Sequence, residues 1–187
     1  MRTLLHYLAV AAGAAEPSTQ VTPDELAALR GLARTAKTIV EIGTFEGRTA
    51  ADMAAITSGE VFSIDIYKRG RLGICYGEQI AKLTRNRRKL GNLHLLKGSS
   101  HDVARTFESE IDLVFVDADH SYNGAKQDWD DWTPKLRRGG FIALHDSRIA
   151  PSSPHRLGSM QFYEEARGYA GFEELPGPGS LAVFRKL

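Results

Sequence analysis

The sequence predicts an α/β fold built on a doubly wound, mostly parallel sheet with helices on both faces. Short apolar runs alternate with longer segments of helical period along the 187 residues of the chain. The apolar runs are continuous rather than alternating with polar residues, as in strands that are buried on both faces. Polar clusters follow most of these runs. Because parallel strands end at the same edge of a sheet, this pattern predicts one ligand-binding edge.

The composition is that of an ordinary globular protein. Apolar residues make up 42% of the chain and charged residues 25%, which excludes a disordered or fibrous protein. The formal net charge of +1 gives no reason to expect binding to nucleic acid or to a membrane surface. The single cysteine, Cys75, excludes an intrachain disulfide and a metal site with several cysteine ligands. We expect one domain over residues 1–187, with N-terminal helices over 1–37, an α/β core over 38–187 and a cytoplasmic location.

The N-terminal region predicts two helices. Residues 4–15 loosely imitate a secretory signal, but they contain His6 and Tyr7 and are too short to span a bilayer. We therefore expect a helix whose apolar stripe is formed by Leu4, Leu5, Leu8 and Ala11 or Ala12. The second helix begins at residues 22–25, where Thr-Pro-Asp-Glu combines a capping box with proline at the first helical position.

The core is predicted from the alternation of strands and helices. The expected parallel strands are Thr38–Ile42, Val61–Asp65, Leu93–Lys97, Ile111–Asp117 and Phe141–Asp146, and the expected helices lie at 49–56, 77–90, 103–107, 124–136 and 160–169. Loops are expected at 67–75 and 147–160. Residues 138–140, Arg-Gly-Gly, predict a tight turn before the fifth strand. Two final strands, 172–175 and 180–185, flank Pro-Gly-Pro-Gly and predict an antiparallel hairpin at the sheet edge.

A glycine turn follows the first strand. Gly43 and Gly47 are separated by three residues, and a helix is expected from Thr49. A strand, a glycine turn and a helix N-terminus together present backbone N–H groups and partial positive charge to a polar ligand. Asp65 ends the second strand about twenty residues later, where a carboxylate can accept hydrogen bonds from both hydroxyls of a ribose. The alternative is that Asp65 only caps the following turn.

The residues between the two glycines bear on which nucleotide binds. A dinucleotide fingerprint requires Gly-x-Gly-x-x-Gly, so that the pyrophosphate can approach the backbone. Here the centre of the turn holds Phe45 and Glu46. A bulky ring and a carboxylate disfavour a pyrophosphate with two negative charges, whereas a sulfonium cofactor does not meet that conflict.

The segment 41–49, Glu-Ile-Gly-Thr-Phe-Glu-Gly-Arg-Thr, resembles the first motif of class I S-adenosylmethionine-dependent methyltransferases. The chain is most similar to the small catechol-type O-methyltransferases and to a related group with an Asp-Ala-Asp-His-Ser-Tyr motif, here residues 117–122. Residues 98–102 and 136–146 strengthen the resemblance, which extends from about residue 22 to about residue 165. It implies a Rossmann-like methyltransferase fold with a seven-stranded sheet and an antiparallel C-terminal hairpin.

The resemblance also implies a set of residues that bind S-adenosylmethionine. Glu41 and Gly43 would line its methionine end, and Thr49 would hold its carboxylate. Asp65 would bind the ribose hydroxyls, although the family often has Glu there. Ser100 and His101 match the pair beside the adenine, where the catechol type commonly has Gln at the second position. The full candidate set is Glu41, Gly43, Thr44, Phe45, Gly47, Thr49, Asp65, Ser99, Ser100, His101 and Asp117, with Asp117 near the sulfonium.

Methyl transfer from a sulfonium needs alignment and a deprotonated acceptor. A base, a divalent cation or both can activate a hydroxyl acceptor. His120 is the candidate base because an unperturbed imidazole titrates near neutrality, and it stands where the catechol type has Lys. The alternative is that His120 only hydrogen-bonds its loop or Asp119. Asp117 is the second candidate catalytic residue, since it ends the fourth strand beside the expected sulfonium.

A divalent cation is the second open question. Asp117 and Asp146 end neighbouring strands, and two close carboxylates favour a hard cation between them. The resemblance implies magnesium or another divalent cation on these two residues. The third ligand of the catechol type, an Asn, is replaced by Ser147, so His145 or Asp119 would have to contribute. Alternatively, Asp146 anchors its loop or orients His120.

The sequence therefore predicts an S-adenosylmethionine-dependent methyltransferase that acts on a hydroxyl group of a small hydroxylated or phenolic molecule. The loop at 147–160 is expected to shape the acceptor site. We expect no nucleic-acid or membrane partner, and a homo-oligomer stays open. Two alternatives are a nicotinamide-dependent oxidoreductase on a similar sheet and a non-catalytic protein that binds S-adenosylmethionine.

Overall fold

The computed structural model describes residues 2–68, 74–151 and 155–187. The loops expected at 67–75 and 147–160 therefore lie partly outside the described residues. The helices are α1 (Arg2–Ala12), α2 (Pro23–Ala33), α3 (Arg48–Ala54), α4 (Tyr76–Arg87), α5 (Ser100–Thr106), α6 (Tyr122–Trp132) and α7 (Gly158–Ala166), and a 3₁₀ turn covers Thr133–Lys135. The strands are β1 (Thr38–Ile42), β2 (Glu60–Asp65), β3 (Leu93–Lys97), β4 (Ile111–Val116), β5 (Leu136–Leu144), β6 (Phe172–Leu175) and β7 (Ala182–Lys186).

The sheet has seven strands in the order β3-β2-β1-β4-β5-β7-β6. The first five in this order are parallel, and β7 pairs antiparallel with both β5 and β6. The predicted fold class, including the antiparallel C-terminal hairpin, is confirmed. The order of the strands reverses between β1 and β4. In open α/β sheets a ligand binds beyond the carboxyl ends of the strands at such a switch point.

The core lies on both faces of the sheet. Successive β1 residues point to opposite faces, so Ile39 belongs to one buried cluster and Val40 to the other. The cluster around Val40 includes Trp129 and Trp132 of α6 together with Phe162 of α7. Because the strands are buried on both sides, their apolar runs are continuous. None of the helices within the described ranges has the length and hydrophobicity that a membrane span requires.

The face of α1 that contacts the protein differs from the predicted stripe. Leu4, Leu5 and Leu8 are 43%, 59% and 51% exposed, whereas Val10 is 3% exposed. The side of α1 that packs against the protein carries the polar and aromatic side chains of His6 and Tyr7, which a count of apolar residues does not recognise. The predicted helix is confirmed, but the predicted leucine stripe is wrong.

Polar and aromatic contacts hold α1 in place. His6 Nε2 lies 2.9 Å from a carboxylate oxygen of Glu46, and the Tyr7 ring packs on Tyr76 at the start of α4, with 5.6 Å between ring centroids. The Arg87 guanidinium, also on α4, donates to the backbone carbonyls of Val10 and Ala11. These carbonyls belong to the last turn of α1, where the Val10 carbonyl also accepts the N–H of Gly13 at 3.0 Å, so Arg87 helps to cap the helix.

Several element boundaries differ from the sequence-based prediction by a few residues, and two of the differences have a clear physical cause. Residues 138–140 do not form a turn before the fifth strand, because β5 already begins at Leu136. The register between β4 and β5 instead shifts between Ile111 and Leu113, and Gly139, with φ of 76°, supplies the left-handed backbone that such a bulge uses. Helix α5 begins at Ser100 rather than at residue 103, because Ser99 Oγ accepts the backbone N–H of Asp102 and caps the helix.

Candidate functional site

The glycine turn after β1 lies against the end of β4. Gly43 has φ of 98°, and a Cβ atom at this position would lie 1.9 Å from the backbone oxygen of Asp117. Gly47 has φ of 75° and is the N-cap of α3. Phe45 also has a positive φ, 51°, and its side chain is 50% exposed. The turn therefore depends on glycine at position 43, where the two strand ends approach too closely for any side chain.

Two adjoining cavities open at this edge of the sheet. The smaller has a volume of about 230 Å³ and is lined by Ser18, Thr19, Gln20, Gly43, Thr44, Phe45, Arg48, Thr49, Asp117, Ala118 and His120. The larger has a volume of about 670 Å³ and is lined by Ile42, Gly43, Phe45, Ile64, Asp65, Ile66, Lys68, Gly98, Ser99, Ser100, His101, Asp117, Ala118, Asp119, Gly124, Gln127 and Asp128. Gly43, Phe45, Asp117 and Ala118 line both. The cavities therefore meet at the strand switch point.

The Asp65 carboxylate is fixed by the backbone and lines the larger cavity. One oxygen accepts the N–H of Phe45 at 3.0 Å, and the other accepts the N–H of Tyr67 at 2.7 Å. Asp65 therefore does cap the following turn, as the structural alternative expected. Each carboxylate oxygen has a further lone pair, so the same geometry leaves acceptors for two neighbouring hydroxyls.

Residues 99–101 also line the larger cavity. Ser100 Oγ accepts the indole N–H of Trp132 at 2.7 Å. His101 Nδ1 lies 2.9 Å from a carboxylate oxygen of Asp131. The candidate residues from β2 and from the start of α5 are therefore brought to one cavity, although they are far apart in the sequence.

Glu41 lies behind the glycine turn. It is 1% exposed and is absent from the described residues that line the two cavities. Burial raises the pKa of Glu41 to about 8, and the charges of Asp117 and Asp65 add to the rise. A hydrogen bond from Ser63 acts in the opposite direction but is outweighed. Ser63 Oγ lies 2.7 Å from Thr44 Oγ1. Glu41 thus supports the turn through Ser63 and Thr44.

The start of α3 lines the smaller cavity. Thr49 Oγ1 lies 3.2 Å from Thr19 Oγ1 of the segment that follows α1, and both residues line the cavity. Glu46 is 6% exposed and is held by the Ser18 N–H and by His6. Its carboxylate therefore bonds the N-terminal segment instead of facing a ligand. Of the two residues that disfavour a pyrophosphate, the structure brings only Phe45 to the cavities.

The catalytic candidates form a cluster beside the place where the two cavities meet, which we call the seam. Asp117 lines both cavities, and His120 lines the smaller one. Ligand atoms of Asp117, His120 and Asp146 all lie within 4.8 Å of one another. His120 Nε2 is 3.9 Å from Asp117 Oδ1 and 3.7 Å from Asp146 Oδ2. Ser159 joins the two loops, since its N–H donates to the His120 carbonyl at 2.9 Å and its hydroxyl donates to the Asp146 carbonyl at 2.7 Å.

The sequence-based search missed Glu25 as part of this cluster. His145 is 4% exposed; its Nδ1 lies 3.1 Å from Asp117 Oδ1 and its Nε2 lies 3.3 Å from Glu25 Oε2. Glu25 is fully buried and belongs to the predicted capping box of α2, which is confirmed. The capping box already explains why an acid stands at position 25, so the sequence carries no signal for its contact with His145, which is 120 residues away.

The surroundings of Glu25 and His145 favour the charged form of both side chains. Burial by itself would raise the pKa of Glu25, but hydrogen bonds from Thr22 and Ser180 outweigh it and lower the pKa to about 2. Burial likewise would lower the pKa of His145, but its hydrogen bond to Asp117 and the charges of Asp117, Asp146 and Glu25 raise it to about 9. At neutral pH a buried imidazolium therefore lies between Glu25 and the site carboxylates.

The side chains of Asp117, His120 and Asp146 are of the chemical types that bind divalent cations. Two carboxylates and one imidazole are ligands that such ions accept. Ser147 does not supply the third ligand, because it is 1% exposed and donates to the His145 carbonyl at 3.2 Å. Asp119 accepts the backbone N–H of Ser121 at 2.9 Å. Among the described residues, the group whose ligand atoms lie within 4.8 Å of one another is instead completed by the imidazole of His120.

Residues 40–147 match the family model described as a methyltransferase domain. The strand order and the ligand edge are those of the class I methyltransferase fold. The matched segment covers more than half of the chain, runs from within β1 to beyond the end of β5 and includes the whole cluster of Asp117, His120 and Asp146. The chain therefore belongs to this methyltransferase family.

Two relatives of uncharacterised function share part of the sequence. The protein y4gI of Sinorhizobium fredii is 28% identical over 135 residues, which are 68% of this chain and 14% of that protein. The protein R132 of Acanthamoeba polyphaga mimivirus is 30% identical over 127 residues, which are 63% of this chain and 54% of that protein. The matches thus span a small part of the first relative and about half of the second.

Among solved structures, the O-methyltransferase from Bacillus cereus in complex with SAH has a TM-score of 0.70 to this chain. The sequences are 22% identical, and the alignment covers 100% of this chain and 91% of that one. This similarity confirms the fold. The bound ligand is a property of the Bacillus cereus protein.

Proposed function

We propose that this chain transfers a methyl group from S-adenosylmethionine to a hydroxyl oxygen of a small molecule. The observation that carries the proposal is the position of Asp117. It lines both cavities and shares a cluster with His120 and Asp146. A cofactor that occupied both cavities would therefore have its centre beside the groups that can activate an acceptor.

The larger cavity suits the adenosine of the cofactor. Asp65 presents a carboxylate that two backbone N–H groups orient, which favours the binding of vicinal ribose hydroxyls. The base would then extend towards residues 99–101, which line the same cavity. The smaller cavity, with the N–H groups at the start of α3, Arg48 and Thr49, suits the methionine carboxylate. In this arrangement the sulfonium lies at the seam, near Asp117.

His120 would then remove the acceptor proton. Its side chain is 31% exposed, so an acceptor can reach it, and its Nε2 lies 3.9 and 3.7 Å from carboxylate oxygens of Asp117 and Asp146. In the step, the acceptor oxygen forms a bond to the methyl carbon while the carbon–sulfur bond breaks. The proton passes to His120 Nε2, and S-adenosylhomocysteine leaves with the bonding electron pair. Charge and atoms balance without a further reactant.

A divalent cation would be held by Asp117, Asp146 and His120. Such an ion lowers the pKa of a bound hydroxyl and fixes its position. The same His120 nitrogen cannot both bind an ion and accept a proton, so dependence on a metal and a base role for His120 are alternatives. The imidazolium of His145 already compensates part of the carboxylate charge, which favours the metal-free arrangement.

We also propose a small-molecule acceptor and no nucleic-acid or membrane partner, since the charges of the chain nearly balance. A cytoplasmic location is part of the same proposal. A homo-oligomer stays compatible with the fold. The acceptor belongs at the seam, where a phenolic or other hydroxyl group can reach His120.

A methyl-transfer assay tests the proposal. The purified protein is incubated with methyl-labelled S-adenosylmethionine and a panel of phenols, catechols, hydroxy acids and RNA, and label in each acceptor is counted. We expect label in a hydroxylated small molecule and about a hundredfold lower rate for His120→Gln, as for loss of a general base. His94→Gln is the matched control, because His94 pairs with Glu60 on the surface, and it should keep the wild-type rate.

Three results would overturn the proposal in different ways. Tight binding of S-adenosylhomocysteine with no labelled acceptor would favour a non-catalytic binding protein. Binding of NAD, but not of S-adenosylhomocysteine, in a thermal-shift titration would favour the oxidoreductase. Label in RNA alone would replace the small-molecule acceptor by a nucleic acid.

A further inference from the structure

The larger cavity is also lined by the buried carboxylate of Asp128, which does not belong to the cluster of Asp117, His120 and Asp146. Asp128, on α6, is 7% exposed and lines the cavity beside Gln127. The neighbouring acids have basic partners, since Lys126 pairs with Asp130 and the His101 ring contacts Asp131. Within the described ranges, no lysine, arginine or histidine nitrogen forms such a pair with Asp128.

The hydrogen bonding of Asp128 is incomplete. The Trp132 indole donates to Ser100 Oγ, and the Ser100 hydroxyl is the neighbouring donor that lowers the pKa of Asp128. A carboxylate has about four acceptor positions, and a buried one is costly when few of them are used. Burial, together with the charges of Asp131 and Asp119, raises the pKa of Asp128 to about 6 despite the bond from Ser100. The site therefore offers an acceptor that a ligand with an N–H group would satisfy.

We propose that Asp128 recognises the base of the cofactor by accepting a hydrogen bond from the exocyclic amino group of adenine. This inference rests on the proposed function, in which the ribose lies on Asp65 and the base lies towards Ser100. Both residues line the same cavity as Asp128. Adenine presents a donor at carbon 6, whereas hypoxanthine presents a carbonyl oxygen there. A carboxylate accepts from the first and repels the second, so Asp128 determines which purine binds.

A change of base tests this assignment without any methyl-transfer assay. Wild-type protein is titrated by calorimetry with S-adenosylhomocysteine and with S-inosylhomocysteine, which differ only at carbon 6 and in the proton on the ring. We expect the adenosyl compound to bind ten- to a hundredfold more tightly, the range for one hydrogen bond to a charged group. Asp128→Asn offers either an amide oxygen or an amide N–H, so the ratio of the two dissociation constants should approach one.

Asp130→Asn is the matched control. Asp130 lies on the same helix, but its side chain is 55% exposed and pairs with Lys126. This variant should keep the wild-type ratio. Circular dichroism and thermal unfolding establish that each variant is folded. The wild-type ratio alone tests the inference if Asp128→Asn does not fold.

The outcomes separate this inference from the function on which it rests. Equal binding of both compounds by wild type, or an unchanged ratio in folded Asp128→Asn, would overturn the role of Asp128 and leave the proposed function intact. Absence of S-adenosylhomocysteine binding by wild type would overturn the proposed function, and the inference with it. A wild-type preference that Asp128→Asn removes and Asp130→Asn keeps would support the inference.

Discussion

Replacing Glu25 by glutamine would remove a buried negative charge that lies next to His145. His145 in turn contacts Asp117 of the catalytic cluster. The Glu25 carboxylate accepts four hydrogen bonds, from the N–H and the hydroxyl of Thr22 at 2.9 and 2.8 Å and from those of Ser180 at 2.8 and 2.9 Å. It also lies 3.3 Å from His145 Nε2. A glutamine keeps the shape, but its NH₂ group would face the backbone N–H of Thr22 or of Ser180, neither of which can accept a hydrogen bond.

The size of the effect follows from the ionisation of Glu25. Its pKa falls from the ordinary 4.5 to about 2 in the folded protein. At about 1.4 kcal/mol for each tenfold change of an ionisation constant, the folded state favours the charged form by about 3 kcal/mol. The cost of removing one partner of a buried ion pair is of the same size, about 3–5 kcal/mol. We therefore expect Glu25→Gln to lower the free energy of unfolding by about 3 kcal/mol at pH 6.

The pH dependence has a definite sign. Because the folded pKa of Glu25 lies below its unfolded value, its contribution is present above about pH 4.5 and is lost as the pH falls towards 2. His145 has the opposite sign. Its folded pKa of about 9 lies above the ordinary 6.5, so its contribution is complete below about pH 6.5 and is lost as the pH rises through 9. The difference between wild type and Glu25→Gln should fall to about half its pH 6 value at pH 3.

Urea unfolding at pH 6 and pH 3 measures this difference. Asp24→Asn is the matched control, because Asp24 is in the same first turn of α2 but is exposed. Its loss should cost no more than the helix-dipole contribution, about 0.3–1 kcal/mol. A cost for Glu25→Gln as small as that of the control, or one that does not change with pH, would refute the reasoning.

Three further predictions concern the site itself. Gly43→Ala should abolish S-adenosylhomocysteine binding in calorimetry, because its Cβ would lie 1.9 Å from the Asp117 carbonyl, whereas Gly91→Ala has no atom within 4 Å and should bind normally. Asp65→Asn should weaken that binding about ten- to a hundredfold, since it replaces a charged acceptor at the ribose; unchanged affinity would contradict the assignment. Excess chelator should lower the methyl-transfer rate if Asp117 and Asp146 hold a cation, and full activity in chelator would exclude that cation.

Much of the fold could be predicted because its strands are buried on both faces. Such strands give continuous apolar runs, and their boundaries in the sequence agree closely with the sheet. The prediction that an apolar stripe of leucines attaches α1 to the protein was wrong. His6 and Tyr7 attach this helix through a carboxylate and a ring, while the leucines that periodicity selects are exposed. Periodicity measures where apolar residues lie, not which face has partners.

The candidate site was predictable where it depends on strand ends and glycine spacing. Asp117, His120 and Asp146 follow two neighbouring strands, so their proximity is a consequence of the topology. Glu25 was not predictable, because its contact with His145 comes from the packing of α2 across the sheet edge. Asp128 was hidden in the same way, since an acid on an amphipathic helix is ordinarily read as part of a solvated face.

A crystal structure of the protein with S-adenosylhomocysteine tests the central claim most directly. We expect the ribose hydroxyls on the Asp65 carboxylate, the homocysteine in the smaller cavity and the sulfur at the seam beside Asp117. Density for the compound outside the two cavities, or a sulfur remote from Asp117 and His120, would contradict the account.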